Sequence, residues 1–317
     1  MRLLLPALLL AATLAGCATK PPHPEAFSFA VIGDAPYGAR EEMEFDAMLA
    51  RLGAEPLAFI VHVGDFKAGG DSPCTDALYA ERKARLDASP HALVFTPGDN
   101  DWTDCRRHSN GAMDPLERLA KLREVFFADN WSLGRKRLPL ARQEGCAERV
   151  GTRCRCPGLP ENRSWSKNGV VFATVHIVGS NDNRGFDAAS DAEQACRASA
   201  NHAWIDSALR LAEAPGRRAL VLVMQANPWL QSRDRVYEPL LRQVAAGAVR
   251  LGKPVLFVHG DTHTYRTDLP FRDASGGAVA NARRLETFGS PVVGWVRVHV
   301  DPDDPQLFRL EPQPLTP

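Results

Sequence analysis

Four short apolar runs in this chain each end in glycine followed by aspartate. Ala30-Val31-Ile32 leads into Gly33-Asp34, and Ile60-Val61-His62-Val63 leads into Gly64-Asp65. Val94-Phe95-Thr96-Pro97 leads into Gly98-Asp99, and the run Pro254 to Val258 passes through His259 into Gly260-Asp261. The last unit continues Thr262-His263, so an acid and an imidazole stand two residues apart. Short runs rich in β-branched and aromatic residues read as buried strands, and polar groups at the carboxyl ends of such strands face a cleft. One Gly-Asp is often only a turn or a helix cap. Four in one chain read as a single site built from four strand ends. Carboxylates gathered there repel unless some are protonated or a cation sits among them. A bound cation is the simpler answer, and its chemistry is to polarise a bound oxygen and lower the pKa of a bound water.

The elements that must carry these groups alternate. Strands are expected at Phe27 to Gly33, Leu57 to Gly64, Ala92 to Thr96, Gly169 to Val178, Arg218 to Met224 and Pro254 to Val258. Between them, apolar residues at helical spacing predict helices over Glu41 to Leu52, Ala77 to Leu86, Pro115 to Phe127, Asp191 to Ala212 and Val236 to Arg250. The stretch 130–166 is rich in Cys, Arg, Gly and Pro and reads as an irregular insertion. The tail after Asp268 reads as extended, clearest over Val292 to Val300. The alternation predicts an α/β protein, and the extended tail suggests a second sheet packed on the first.

Basic and acidic residues balance at 38 each in 317 residues, so no basic excess points to nucleic acid. No Gly-rich phosphate loop of either usual type is present, which argues against a nucleotide-binding module. The chain opens with one arginine and a short apolar run through Leu14, the pattern of a secretory signal rather than a membrane span. Leu14-Ala15-Gly16-Cys17 resembles a bacterial lipobox. That resemblance implies a signal over 1–17, lipidation of Cys17, and a membrane-anchored envelope protein on the periplasmic side. Ala18 in place of an aspartate favours the outer membrane. Residues 18–26 then form a stiff Pro-rich tether, and 27–317 form one domain. The six remaining cysteines are an even number, as expected of disulfides outside the cytosol. Cys74 and Cys105 each follow a Gly-Asp unit and are expected to pair; Cys146, Cys154, Cys156 and Cys196 can pair in three ways.

In order and spacing these blocks resemble the calcineurin-like metallophosphoesterase superfamily, with a purple acid phosphatase-like motif order. The five blocks here are Gly33-Asp34-Ala35-Pro36-Tyr37-Gly38, Gly64-Asp65, Gly98-Asp99-Asn100-Asp101, Met224-Gln225-Ala226-Asn227 and Gly260-Asp261-Thr262-His263. The resemblance implies two packed mixed sheets flanked by helices, a four-layer sandwich. It also implies two divalent ions bridged by Asp65.

Several positions depart from the family pattern. Pro36 stands where many members have a metal-binding histidine, and Tyr37 could supply its oxygen instead. Asp99 stands at the ligand asparagine, or a shift of one residue gives that role to Asn100. Asn100 otherwise stands at the histidine that assists the leaving group. Gln225 and Asp261 each replace a ligand histidine. The implied metal ligands are Asp34, Asp65, Asp99, Gln225, Asp261 and His263. Asp34, Asp65 and His263 form the better-preserved half. Asn100, Asp99 and His259 are the candidate catalytic groups, and Tyr37, Asn181 and Asn227 the candidate substrate donors. Exchanging imidazoles for carboxylates and an amide hardens the site, so Mn, Mg, Ca or Fe is favoured over Zn. The expected function is metal-dependent hydrolysis of a small phosphate mono- or diester at the cell envelope. The rival is a catalytically inactive lipoprotein that keeps the fold and binds an envelope partner.

Overall fold

A computed structural model describes residues 25–230 and 235–315. In chain order the strands are β1 (Phe27–Ile32), β2 (Ile60–His62), β3 (Leu93–Phe95), β4 (Ala141–Arg142), β5 (Cys146–Val150), β6 (Arg153–Pro157) and β7 (Arg163–Lys167). They continue with β8 (Val170–Thr174), β9 (Ala219–Val223), β10 (Val255–His259), β11 (Arg266–Asp268), β12 (Ala282–Glu286), β13 (Gly294–Val300) and β14 (Phe308–Pro314). The helices are α1 (Ala39–Ala54), α2 (Asp76–Asp87), α3 (Pro115–Phe126), the single distorted turn α4 (Gly179–Asp182), α5 (Ala188–Glu213) and α6 (Glu238–Leu251).

Two large mixed sheets result. One runs β14-β13-β1-β2-β3 and the other β11-β12-β10-β9-β8-β7-β4. Alternation along each strand explains why both faces are covered. In β1, Phe29 and Val31 point between the sheets, while Ala30 and Ile32 point toward the helical layer. Between the sheets, Phe29, Phe59, Phe172 and Trp165 pack at ring separations of 5.1 to 5.5 Å. A second apolar layer joins the first sheet to α1, α2 and α3, and a third joins the other sheet to α5 and α6. The result is helices, sheet, sheet, helices, as the alternation and the family resemblance led us to expect.

Local signals placed the helices. Thr75 caps α2 through Leu78 N–H, Asp114 caps α3 through Leu116 N–H with Pro115 at its first position, and Asp187 caps α5 through Ser190 N–H. Two expectations need correcting. The stretch 130–166 is ordered: β7 pairs antiparallel with β8, and a Cys146–Cys154 disulfide closes the β5–β6 hairpin. The tail does not make the second sheet. It divides, with β12 extending one sheet and β13 and β14 extending the other. Cys74–Cys105 pairs as expected, and Cys156–Cys196 ties the hairpin to α5. Cys17 lies outside the described residues.

Candidate metal centre

β1, β2 and β3 are parallel neighbours, and so are β8, β9, β10 and β12, so two sets of carboxyl ends meet at one edge. Asp34, Asp65 and Asp99 leave the first sheet there, and Gln225, Asp261 and His263 leave the second. Backbone bonds lock the ends together. Asp34 N–H donates to Gly64 O at 3.0 Å, and Gly260 N–H to Gln225 O at 3.0 Å. Asp261 N–H donates across the two sheets to Asp34 Oδ1, also at 3.0 Å. Asp34, Asp65, Asp261 and His263 all hold positive φ, of 51°, 59°, 80° and 61°. For such residues the left-handed region costs on the order of 1–3 kcal/mol each, and it persists where neighbours over-determine it.

Asp34, Asp65 and Asp99 are buried and Asp261 is partly so. Asp65 Oδ1 accepts Asn100 N–H at 3.0 Å, while its Oδ2 meets Tyr37 Oη at 3.3 Å and Gln225 Nε2 at 3.2 Å. Gln225 Nε2 also stands 3.1 Å from Asp99 Oδ1 and 3.2 Å from Asp261 Oδ1. Asp34 Oδ2 is buried without a partner. His263 Nδ1 lies 2.7 Å from Ser290 O, which can only accept, so that nitrogen carries the proton and Nε2 keeps its lone pair. Nε2 stands 3.9 Å from Asp34 Oδ1 and 3.5 Å from Tyr37 Oη. Burial first, then neighbouring carboxylates, pushes Asp65 well above the usual carboxylate range; burial likewise dominates at Asp34. Burial also raises Asp99 and Asp261 to about 6. It raises the Tyr37 hydroxyl too, so the phenol stays protonated.

The expected site residues divide. Tyr37, Asn100 and Gln225 join the carboxylates, with Asn100 Nδ2 donating to Tyr37 Oη at 2.9 Å. Asn227 reaches the cluster through its backbone, which donates to Asp261 Oδ2 at 2.9 Å, while its side-chain amide bonds Thr262. Asn181 turns its amide to Arg184 O within its own loop. His259 is a correction. Its fully buried ring lies beside Trp229 and Phe257 on the helix-facing side of β10, with Nδ1 2.8 Å from Gly260 O. Strand alternation puts His259 on the face of Phe257, away from the cluster. Gln225 is another: its Oε1 accepts Gly179 N–H at 2.6 Å, so the amide faces the carboxylates with hydrogens rather than with a ligand oxygen.

Sequence reasoning missed the residues that brace the cluster. Asp101 accepts N–H from Asp65 (2.9 Å), Phe66 (3.0 Å) and Gly98 (2.8 Å), pinning two Gly-Asp loops at once. Burial raises it to about 7. Lys67, fully buried, donates to the carbonyls of Ala68 and Asn100. Ser180 Oγ lies 2.8 Å from Asp99 Oδ2 and 2.7 Å from Asp104 Oδ1, on a run of positive φ from Ser180 to Asn183. Only Asp101 had a visible signal, its place two residues after Asp99.

No protein-family description and no curated protein matches the chain. Solved structures do. A dimetal phosphatase from Danio rerio aligns at 12% identity over 92% of this chain and 96% of its own, with a TM-score of 0.53. The chain shares the fold of that protein. A 5'-nucleotidase from Candida albicans aligns at 10% identity over 91% of this chain and 52% of its own, with a TM-score of 0.47, too low to add to that assignment.

Whether the residues of this edge suit metal ions depends on the contacts they already make. Among the described residues, no three His, Cys, Asp or Glu side chains form a ready coordination shell. The hydrogen bonds explain this: the Gln225 amide lies among three carboxylates, and the Tyr37 hydroxyl lies between Asp65 and His263. The Asp34–His263 half still suits a cation, with an unpartnered buried carboxylate oxygen and an inward imidazole lone pair. A side chain on Gly260 would begin 2.0 Å from that oxygen, so the backbone is cut back there. The Asp99–Asp261 half has its charge already met by the amide.

Proposed function

We propose that this chain is a phosphoric ester hydrolase acting with a divalent cation, on a small phosphate mono- or diester. The observation that carries the reading is Asp34 Oδ2, buried and unpartnered among carboxylates drawn from both sheets. The Danio rerio protein, named a dimetal phosphatase, lends support through its fold. Asp34, Asp65 and His263 would hold the cation, which supplies Lewis acidity toward a phosphoryl oxygen and an attacking water. Of the surrounding residues, Tyr37 and Asn100 offer hydrogen-bond donors to the substrate's oxygens. Asn100 cannot transfer a proton, so leaving groups that depart as stable anions, such as phenolates, are favoured. A cleft of about 610 Å³ opens beside Tyr37, lined among others by Pro36, Gly38, Ser72 and Arg82. Its Arg82 is committed to Glu42 at 2.6 Å, so the cleft selects more by shape than by charge.

The exported setting belongs to the same proposal. Three disulfides support an oxidising compartment. An envelope lipoprotein anchored through Cys17, in the outer membrane, is the reading of the N-terminal sequence. One observation favours the rival, non-catalytic function: the Gln225 amide quenches half of the cluster. Hydrolysis of aryl phosphate mono- and diesters by Mn²⁺-loaded protein decides between them. The enzyme reading expects turnover that falls at least 100-fold in Asp65→Asn. Turnover unaffected by that change, or absent from the loaded wild type, sinks it.

A further inference from the structure

We propose that the chain binds one divalent cation rather than two, because Gln225 takes the place of the second. This rests on the cation reading above and deepens it. The argument is a count of hydrogens against lone pairs on the two sides of Asp65.

On the Asp99–Asp261 side the acceptors are supplied. Gln225 cannot present its carbonyl oxygen, which accepts Gly179 N–H at 2.6 Å. Its two hydrogens therefore serve Asp99 Oδ1 and Asp261 Oδ1, at 3.1 and 3.2 Å, and leave Asp65 Oδ2, also at 3.2 Å, to the Tyr37 hydroxyl at 3.3 Å. The outer oxygens have partners as well, Asp99 Oδ2 from Ser180 Oγ and Asp261 Oδ2 from Asn227 N–H. Gly179 closes the space: a Cβ there would stand 2.7 Å from Asp99 Oδ2 and 2.8 Å from Asp261 Oδ1. An ion entering this half must expel a buried amide whose orientation is fixed by the backbone.

On the Asp34–His263 side the balance is reversed. Asp34 Oδ2 has no partner, and Asp34 Oδ1 and His263 Nε2, both acceptors, stand 3.9 Å apart. The Tyr37 hydroxyl has one hydrogen for two acceptors, Asp65 Oδ2 at 3.3 Å and His263 Nε2 at 3.5 Å. It already accepts from Asn100 Nδ2. At least one lone pair here therefore faces the centre unmatched, beside a bare carboxylate oxygen. Two carboxylates, an imidazole and a hydroxyl are donors for a hard to borderline ion such as Mn²⁺.

Mn²⁺ titration of the purified full chain near pH 7.5, followed by calorimetry and electron paramagnetic resonance, tests the count. The expected result is one Mn²⁺ per chain with the spectrum of an isolated ion. Asp34→Asn should weaken binding at least 100-fold, and Asp99→Asn should leave it within a few-fold. Q225H should admit a second Mn²⁺ and give a spin-coupled pair. Two coupled ions in the wild type would overturn the one-ion inference while leaving the cation reading intact. A single ion lost in Asp99→Asn but kept in Asp34→Asn would overturn both the role given to Gln225 and the placement of the cation on Asp34. No bound Mn²⁺ in the wild type would bring down both. Should Q225H fail to fold, the wild-type stoichiometry and the two aspartate variants still decide.

Discussion

Arg197 holds the site from behind, and its removal is the sharpest test of how the cluster is braced. Its side chain is 1% exposed. It donates to Asp182 Oδ1 at 2.5 Å, Glu193 Oε1 at 2.7 Å, and the carbonyls of Asp182 and His176 at 2.8 and 3.2 Å. Its guanidinium also lies 5.4 Å over the Trp102 ring. These bonds fix the left-handed run Ser180–Asn183 and with it the Ser180 hydroxyl on Asp99. Arg197→Met keeps the bulk and strands the Asp182 carboxylate. Removing one partner of a buried pair costs about 3–5 kcal/mol. Asp182 retains donors from Val178 N–H at 3.2 Å and Gln194 Nε2 at 3.1 Å, and Glu193 retains Asn183 Nδ2 at 3.0 Å, so the lower end applies. A loss of about 3 kcal/mol against a typical total of roughly 5–15 kcal/mol leaves a folded but weakened protein. Urea denaturation followed by tryptophan fluorescence reads it directly, as a lower midpoint at unchanged slope. Adding Asp182→Asn removes the stranded charge, so the double variant should be more stable than Arg197→Met alone. A loss under about 1 kcal/mol, or a double variant no better than the single, refutes this account of the loop.

The acid–base balance makes a second prediction. Asp99, Asp104 and Asp261 are pushed up to about 6 and Asp101 to about 7, from an ordinary 3.8, with burial the leading cause at each. Between pH 4 and 7 the folded state therefore holds protons that the unfolded chain has released, so stability falls as pH rises. A two-unit shift is worth at most about 3 kcal/mol per group, and groups this close do not add. Buried His62 and His259, pushed down to about 3, act in the opposite sense below the ordinary histidine pKa. Above it, between about pH 7 and 8, the Tm of cation-free protein should drop in a thermal melt as Asp34, Asp65 and Asp101 lose their protons, and a rise there would contradict the raised carboxylates. The disulfides should rank by loop length, with separations of 31 residues for Cys74–Cys105 and 8 for Cys146–Cys154. Loop closure gives about 4 and about 2.5 kcal/mol, so Cys74→Ala/Cys105→Ala should lower the urea midpoint further than Cys146→Ala/Cys154→Ala. An inverted order would count against it. Finally, His259→Phe should leave ester hydrolysis and Mn²⁺ affinity within about two-fold, because the ring faces Trp229 and Phe257. A hundred-fold fall in kcat would restore it to the chemistry.

What could be read from the chain was local. Asp34, Asp65, Asp99 and Asp261 announced themselves because an apolar run, a turn residue and an acid are contiguous, and strand ends of parallel sheets share an edge. Helices α2 and α3 were legible through their 3.6-residue spacing, and α3 also through Pro115 at its start. The rest depended on distant partners. β7 is a strand because β8 lies beside it, and the β5–β6 hairpin is closed by a disulfide that only one of three pairings allows. The tail's division between sheets depends on which edge each segment meets. Arg197 reads as a solvated helix residue until Asp182 and Glu193 are seen around it. The identity of Gln225 was visible, but its orientation is set by one backbone N–H forty-six residues away.

The cluster is a poor solution to the problem of folding alone. Asp34, Asp65, Asp99, Asp101, Asp104 and Asp261 crowd one edge, all but Asp261 fully buried or nearly so. The nearby cations do little to offset them: buried Lys67 bonds carbonyls rather than carboxylates, and half-exposed Arg107 reaches only Asp104, at 2.8 Å. Four of the site residues also hold left-handed backbone. Repulsion and strain at the same place are what folding pressure removes and what a bound ligand keeps. An ion on Asp34 relieves the repulsion without displacing Gln225, and saturation at 100 times its Kd would stabilise the fold by about 2.7 kcal/mol. On the proposed reading, the ion that would activate the substrate would also offset the strain of the edge that holds it, and the amide of Gln225 would offset the remainder in its absence.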